Sequence, residues 1–206
     1  MKDARISERD ALHIWHPYTQ HQIAAPAIPI ASARGAHLIT SDGRRILDCI
    51  SSWWVTLHGH SNEVIAAAIA EQAERLEQVI FAGFTHEPAV RLAEELVRIL
   101  PQGLSKVFYS DDGSTSVEVA IKMTLQYWRN RGEQRRTVVA LKGAYHGDTF
   151  GAMSVSARGL FNDAFAEQLF NVERLPDPVD NDPVAAFDAL LERRGNEIAA
   201  IIVEPL

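Results

Sequence analysis

The sequence predicts an α/β fold in which a mostly parallel sheet forms the larger part. From Lys106 onward, short apolar segments alternate with amphipathic ones, an order typical of a sheet with helices on its faces. The apolar run Ile198–Val203 has the composition of a parallel strand that is covered on both sides. Earlier in the chain, alternating residues from His37 to Leu47 surround a Ser-Asp-Gly turn, which indicates an antiparallel hairpin.

The hairpin belongs to a small N-terminal α+β lobe, which we expect over residues 1–60. We expect residues 1–33 to be irregular, because Pro17, Pro26 and Pro29 interrupt any regular element there. The lobe therefore has little predicted structure apart from the hairpin.

Two helices open the larger domain, which we expect over residues 61–206. An apolar stripe at helical spacing over residues 64–80 predicts about five turns. This helix begins after a cap at Ser61 or Asn62. The second helix has Pro88 in its first turn and ends before the next proline.

The rest of the larger domain alternates strands and helices. The patterns predict strands at Lys106–Ser110, Thr137–Leu141 and Ile198–Val203, and helices at Ser116–Arg131 and Ala185–Arg194. The last strand has nothing after it to cover it. We therefore expect a truncated domain whose remaining strands and helices lie beyond residue 206.

The composition argues against several classes of protein. With 47% hydrophobic and 23% charged residues, the chain is typical of a soluble globular protein. A net charge of -7 with scattered Lys and Arg argues against nucleic acid as a partner. Residues 1–20 contain no apolar run long enough for a signal peptide or a membrane span. Because Cys49 is the single cysteine, we expect no internal disulfide and a cytoplasmic protein without a membrane partner.

Gly113 and Ser114 lie in the first candidate site, a loop between a predicted strand and a predicted helix. Backbone N–H groups at a helix N-terminus, beside a glycine that allows close approach, form an anion site suited to phosphate. Asp or Ser at such a position is also a common helix cap. The spacing fits neither a P-loop nor the dinucleotide-binding fingerprint, and the pattern leaves phosphate binding and simple capping open.

Tyr145, His146 and Asp148 lie in a second loop, which follows the next predicted strand. In open α/β sheets, ligands bind at the carboxyl ends of strands, where Tyr145 would offer a stacking surface and Asp148 would reach a polar substrate group. An ordinary turn whose tyrosine fills a gap in the core fits the pattern equally well. Glu204 follows the last predicted strand and is either an active-site carboxylate or a surface strand end.

Aromatic residues concentrate in two segments without a helical pattern, Trp15–Tyr18 and Ser51–Trp54. Such residues suit a flat organic ligand or a contact between subunits or domains. His58-Gly59-His60 resembles a metal-binding pair, but no cluster of Cys or carboxylate residues completes a coordination sphere. We therefore expect no metal site.

Taken in order, these segments resemble the class III aminotransferases, pyridoxal-phosphate (PLP) enzymes of fold type I. The Trp-His-Pro-Tyr and Ser-Ser-Trp-Trp segments are similar to those of members that transfer an amino group from S-adenosylmethionine to 8-amino-7-oxononanoate in biotin synthesis. The matching pieces are Trp15-His16-Pro17-Tyr18, Asp48–Trp54, Gly113-Ser114 with Val117–Met123, Tyr145–Thr149 and Glu204-Pro205.

The resemblance implies PLP as cofactor and a role for each matching residue. Gly113 and Ser114 would hold the phosphate, Tyr145 would stack on the pyridine ring, and His146 and Glu204 would complete the cofactor site. The residues implied to line the substrate pocket are Tyr18, Trp53, Trp54, Tyr145 and Asp148.

One residue departs from the family pattern. Asp112 stands where the class commonly has serine or asparagine. We expect this change to be tolerated, because the phosphate contact falls to the next two residues.

The resemblance also implies that the Schiff-base lysine lies beyond Leu206, so that this sequence alone should not transaminate. It implies a homodimer whose site is built at the subunit interface. Two alternatives stay open: another class III transaminase acting on an ω-amino acid or acetylornithine, and a non-catalytic module that binds a phosphate ligand.

Overall fold

A computed structural model describes residues 2–179 and 182–205 of the chain. The chain forms two compact units, Met1–Arg91 and Leu92–Leu206. The division at residue 60 expected from the sequence stays a prediction. None of the helices within the described residues is long and apolar enough to cross a membrane.

The N-terminal unit contains regular structure where the sequence predicted none. It begins with α1 (Lys2–His13) and later forms β1 (Ile30–Arg34). The expectation of irregular structure over residues 1–33 was wrong for these two stretches. All three prolines lie outside both elements and so restrict only the segment that joins them.

An antiparallel sheet follows, in which β1, β2 (His37–Thr40) and β3 (Arg45–Leu47) lie in that order. This sheet confirms the predicted hairpin. Gly43 has a φ of 87°, a left-handed conformation that glycine adopts without steric cost. The Ser-Asp-Gly turn therefore has a glycine at the position where the backbone requires one.

Three helical elements follow the sheet: α2 (Ser51–Trp54), α3 (Glu63–Arg75) and α4 (Glu87–Ile99). The side chain of Asn62 accepts hydrogen bonds from the backbone N–H groups of Val64 and Ile65, which confirms one of the two predicted caps. α3 is shorter than the five turns expected, because Leu76 adopts an extended conformation with φ -170°.

The second unit alternates helices and strands around a parallel sheet. β4 (Thr137–Leu141) lies between β5 (Glu173–Leu175) and β6 (Ile198–Ile202), and both pairings are parallel. This arrangement confirms the predicted parallel sheet and brings the carboxyl ends of the strands to one edge. Its elements after α4 are α5 (Gly113–Asn130), β4 (Thr137–Leu141), α6 (Phe150–Val155), a 3₁₀ helix (Asp163–Gln168), β5 (Glu173–Leu175), α7 (Pro183–Arg194) and β6 (Ile198–Ile202).

The core of this unit lies on both faces of β4. Val139 belongs to an apolar cluster with Leu190 of α7, whereas Val138 and Ala140 belong to a second cluster with Ile121 of α5. Successive side chains of a strand point to opposite faces, so two helical layers cover β4. A strand that is covered in this way has a continuous apolar sequence, as residues 138–141 do.

Three details of this unit differ from the sequence prediction. Lys106–Ser110 forms no strand, since no described strand pairs with it. α6 and β5 were not predicted, because α6 is short and β5 carries two charged residues, Glu173 and Arg174. β6 pairs with β4 alone among the described strands, and its Ile201 is 43% exposed rather than covered on both sides.

Candidate cofactor site

The N-terminus of α5 forms the first wall of the site. Asp112 caps the helix, with its carboxylate accepting the Thr115 N–H at 2.8 Å, and Thr115 Oγ1 accepts the Asp112 N–H at 3.0 Å. This reciprocal pair satisfies the third N–H group of the helix. The N–H groups of Gly113 and Ser114 have no hydrogen-bond partner among the described residues. They lie at the positive end of an 18-residue helix, where unpaired N–H groups attract anions.

The loop after β4 packs directly against this helix terminus. The backbone N–H of Asp148 donates to Ser114 Oγ at 2.8 Å. Gly147 has a φ of +124°, and a Cβ added there would lie 1.9 Å from Ser114 Oγ. Only a glycine allows this close approach, so the two candidate loops of the sequence form one site.

Tyr145 is held at both ends by carboxylates. Its hydroxyl donates to Asp148 Oδ2 at 3.0 Å, and its backbone N–H donates to Glu204 Oε2 at 2.8 Å. The residue is 54% exposed, so the alternative in which it fills a gap in the core does not hold. Glu204 therefore anchors, from the end of β6, a loop that presents an aromatic ring beside the helix terminus.

His146 is the partly buried residue of the same loop. Its backbone N–H donates to Ser156 Oγ at 2.8 Å, and its Nε2 is buried with no hydrogen-bond partner among the described residues. Burial lowers the pKa of His146; the nearby Glu204 carboxylate opposes this effect and Arg174 adds to it. The imidazole is therefore neutral at neutral pH.

Two supporting carboxylates were not found by the sequence analysis. Glu118, on α5, accepts the N–H groups of Gly151 and Ala152 at the start of α6, at 2.6 and 3.3 Å. Asp177 accepts the Gly143 N–H at 2.9 Å. The sequence contained one indication of the role of Glu118. This charged residue follows Val117, which packs against the core, so its side chain lies at the edge of the apolar face of α5.

The predicted substrate residues Tyr18, Trp53 and Trp54 lie in the N-terminal unit. The rings of Tyr18 and Trp53 meet edge to face, with centroids 5.7 Å apart. Trp53 is 55% exposed and Trp54 is 74% exposed. The structure thus brings Tyr18 and Trp53 together on an exposed aromatic surface.

Comparison with known proteins decides the family. Residues 18–206 match the family described as aminotransferase class-III. The chain belongs to this family. The match covers both loops and Tyr18, which agrees with the resemblance seen in the motifs.

Two relatives of the chain have the same name. The chain is 52% identical to the adenosylmethionine-8-amino-7-oxononanoate aminotransferase of Synechococcus elongatus, over 94% of this chain and 48% of that protein. It is 43% identical to the enzyme of the same name from Mycobacterium leprae, over 98% of this chain and 49% of that protein. The chain thus spans about half the length of the curated relatives it matches.

Solved structures of class III aminotransferases share the fold. The enzyme of that name from Methanocaldococcus jannaschii superimposes with a TM-score of 0.90 at 37% identity, over 96% of this chain and 46% of that one. An amine transaminase from an uncultivated Pseudomonas species, solved in its PLP-bound form, has a TM-score of 0.82 at 31% identity, over 94% of this chain and 48% of that one. The fold is therefore that of the PLP-dependent transferases of fold type I, as predicted.

The class III cofactor, PLP, fits the residues of the site. The N–H groups of Gly113 and Ser114 match the charge of a phosphate, and the ring of Tyr145 offers a flat surface of the size of a pyridine ring. The Asp112 carboxylate is engaged by Thr115, which is consistent with the expectation that an acidic residue is tolerated next to the phosphate site.

Proposed function

We propose that this chain supplies the first half of an aminotransferase of biotin synthesis. The enzyme transfers an amino group from S-adenosylmethionine through PLP to 8-amino-7-oxononanoate and produces 7,8-diaminononanoate. The observation that carries the proposal is the packing of Gly147 and Asp148 against Ser114, because it joins a phosphate site to an aromatic platform in one pocket. The names of the relatives that are 52% and 43% identical supply the substrates.

In this proposal, the main residues of the two loops have separate roles in binding PLP. Gly113 and Ser114 would bind the phosphate through their N–H groups, and the Ser114 hydroxyl, which accepts a hydrogen bond from the Asp148 N–H, would donate a hydrogen bond to a phosphate oxygen. Tyr145 covers one face of the pyridine ring. Bound PLP supplies the electron sink that amino transfer requires.

His146 and Glu204 keep this arrangement fixed. Glu204 holds the Tyr145 backbone at 2.8 Å, so the ring stays over its ligand when substrates enter and leave. Because the imidazole of His146 is neutral, it does not attract the phosphate away from the N–H groups of Gly113 and Ser114. Asp148 orients Tyr145, because its Oδ2 accepts a hydrogen bond from the Tyr145 hydroxyl at 3.0 Å. We propose that the Asp148 carboxylate also contacts a polar group of the substrate.

The substrates are proposed to meet the aromatic residues of the N-terminal unit. Tyr18, Trp53 and Trp54 form a flat apolar surface, which suits both the alkyl chain of the keto acid and the adenine of the donor. The proposal assigns the Schiff-base lysine to none of the lysines of this chain and places it outside these 206 residues.

The proposal extends to assembly and location. A homodimer whose site is completed at the subunit interface agrees with the exposure of Trp54 and of Trp15, which is 83% exposed. A cytoplasmic location agrees with the single cysteine, Cys49.

A second candidate function is an amine or ω-amino acid transaminase. An (S)-enantioselective ω-transaminase from Thermomicrobium roseum superimposes with a TM-score of 0.87 at 26% identity, over 96% of this chain and 48% of that one. Such enzymes share the fold and the cofactor loops. The difference between the two candidates lies in the donor, and an experiment with two donors separates them.

The test uses the full-length protein expressed from the source gene and loaded with PLP. Adding S-adenosylmethionine should abolish the visible absorbance band of the bound cofactor, and adding 8-amino-7-oxononanoate should then restore it. A band that persists with S-adenosylmethionine but disappears with an ω-amino acid supports the second candidate. A protein that shows no cofactor band at all contradicts both and favours a phosphate-binding module.

A further inference from the structure

The turn that carries the two tryptophans has an unusual backbone. Four consecutive residues, Ser51 to Trp54, have positive φ angles of 48°, 48°, 60° and 66°. α2 is therefore a left-handed turn, which closes through hydrogen bonds from Trp54 N–H to Ile50 C=O at 2.9 Å and from Val55 N–H to Ser51 C=O at 3.0 Å. Each residue with a Cβ is disfavoured in this conformation. Four in a row persist only where neighbouring groups hold them.

The Asp48 carboxylate is the group that holds this turn. It accepts a hydrogen bond from Ser52 Oγ at 2.7 Å and pairs with His60 Nε2 at 2.8 Å. Hydrogen bonds from the Ser52 backbone and side chain and from His60 lower the pKa of Asp48 to about 2. The carboxylate is thus ionised at neutral pH, and its side chain is only 6% exposed.

His60 fixes Asp48 to the rest of the N-terminal unit. Gly35 lies in the turn between β1 and β2. The Gly35 N–H donates to the His60 C=O at 3.0 Å, and the His60 N–H donates to the Gly35 C=O at 2.8 Å. The Asp48 N–H also donates to Ala36 C=O at 2.9 Å. The left-handed turn is therefore tied through one carboxylate to the antiparallel sheet. This contact also explains His60, which the sequence presented as half of a metal-like pair.

We propose that Asp48 is a positioning residue that keeps Ser51–Trp54 left-handed and thereby sets the place of Trp53 against Tyr18. Right-handed backbone at these residues would redirect both indole rings, because the direction of each side chain follows the backbone conformation. The aromatic surface exists in one arrangement only while the carboxylate holds Ser52. The effect on substrate binding rests on the function proposed above, whereas the effect on the turn does not.

The test uses the full-length, PLP-loaded enzyme with Asp48→Ala. Trp53→Phe identifies the contribution of Trp53 to the near-ultraviolet circular dichroism spectrum. We expect Asp48→Ala to remove the same contribution. We expect the KM for 8-amino-7-oxononanoate to rise about tenfold with a change in kcat of less than about threefold, as for the loss of uniform binding. The affinity for PLP should stay unchanged, because the phosphate site lies in the other unit.

A second substitution separates positioning from general stability. Glycine adopts the left-handed conformation without steric cost, so Ser51→Gly in the Asp48→Ala background should recover a large part of both the spectrum and KM. Asp42→Ala is the matched control: Asp42 pairs with Arg44 at 2.8 Å in the same unit and contacts no residue of α2. It should change neither readout.

Two results overturn the proposal. One is an Asp48→Ala enzyme with an unchanged spectrum and an unchanged KM. The other is a loss that Ser51→Gly does not repair, since Asp48 then contributes only to folding. If the wild-type enzyme does not use 8-amino-7-oxononanoate, the proposed function fails, and the spectra of the variants still decide the role of Asp48.

Discussion

Gly147 is the residue on which the geometry of the cofactor site depends most directly. An added Cβ would lie 1.9 Å from Ser114 Oγ, 2.8 Å from Ser114 Cβ and 2.9 Å from Ser114 Cα, and the Cα is a backbone atom that no rotation of the serine side chain can move. The position also has a left-handed φ of +124°. Steric overlap and backbone strain therefore act together at one residue.

Gly147→Ala should lower the free energy of unfolding by about 3 kcal/mol. It should also weaken PLP binding at least tenfold, because the Asp148 loop must move away from Ser114. Urea unfolding followed by titration with PLP measures both effects.

The control for this substitution is Gly103→Ala. Gly103 has a φ of +100° but nothing within 4 Å of an added Cβ. It should cost only the backbone strain, about 1 kcal/mol, and leave PLP affinity unchanged. Equal effects of the two substitutions would show that the close approach to Ser114 is unimportant.

At the scale of elements, Glu118 couples the cofactor helix α5 to α6. Its carboxylate accepts two N–H groups at the start of α6, in the place that a capping side chain within α6 would take. The capping position itself, Thr149, makes no side-chain hydrogen bond to α6. The start of α6 is thus satisfied from a neighbouring helix.

Glu118→Ala should lower the free energy of unfolding by about 2 kcal/mol, because the two backbone N–H groups that donate to this carboxyl group lose their acceptor. Glu118→Gln keeps one oxygen acceptor and should cost less. Glu95→Ala serves as the control, since Glu95 makes an exposed ion pair with Arg98 at 2.7 Å and should cost less than about 1 kcal/mol. A loss for Glu118→Ala no greater than that of Glu95→Ala would contradict the coupling.

The elements also show what the sequence could predict and why. β4 was predicted from its apolar run because burial on both faces leaves no position for a polar residue. Tyr145 was assigned to a candidate site because ligands of open α/β sheets bind at the carboxyl ends of strands. Each of these rules depends on local pattern and on the general geometry of sheets.

Other features depended on contacts that no local pattern records. Ser52 of the left-handed turn donates to Asp48, which pairs with His60, and the Ser-Ser-Trp-Trp sequence by itself favours no left-handed backbone. α6 is capped by Glu118, which lies 33 residues earlier. The sequence therefore indicated residues that the structure brings together, such as Ser114, Tyr145 and Glu204, but not the residues that support them.

At the scale of the whole molecule, apolar side chains are unusually exposed. Trp54 and Trp15 are more than 70% exposed, as are Leu57 at 75%, Val64 at 79% and Leu160 at 89%. Exposed apolar surface often marks a site where another part of a protein or another subunit packs. We expect the remaining half of the proposed enzyme and its second subunit to cover many of these side chains.

The 206-residue chain expressed alone should therefore bind the hydrophobic dye ANS several-fold more strongly than the full-length enzyme at equal concentration. The chain alone should also show no transamination. Circular dichroism in the far ultraviolet checks that the helices are formed in both samples. Equal dye fluorescence of the two folded proteins would contradict the expected covering of this surface.

The contact between Glu204 and Tyr145 has a consequence for the order of folding. The two residues are 59 positions apart, and closing so long a loop costs entropy before any contact compensates for it. During synthesis, the Tyr145 loop leaves the ribosome well before its anchoring carboxylate. We therefore expect the Tyr145 loop to reach its final form only after β6 has paired with β4, although the residues of the loop itself are synthesised much earlier.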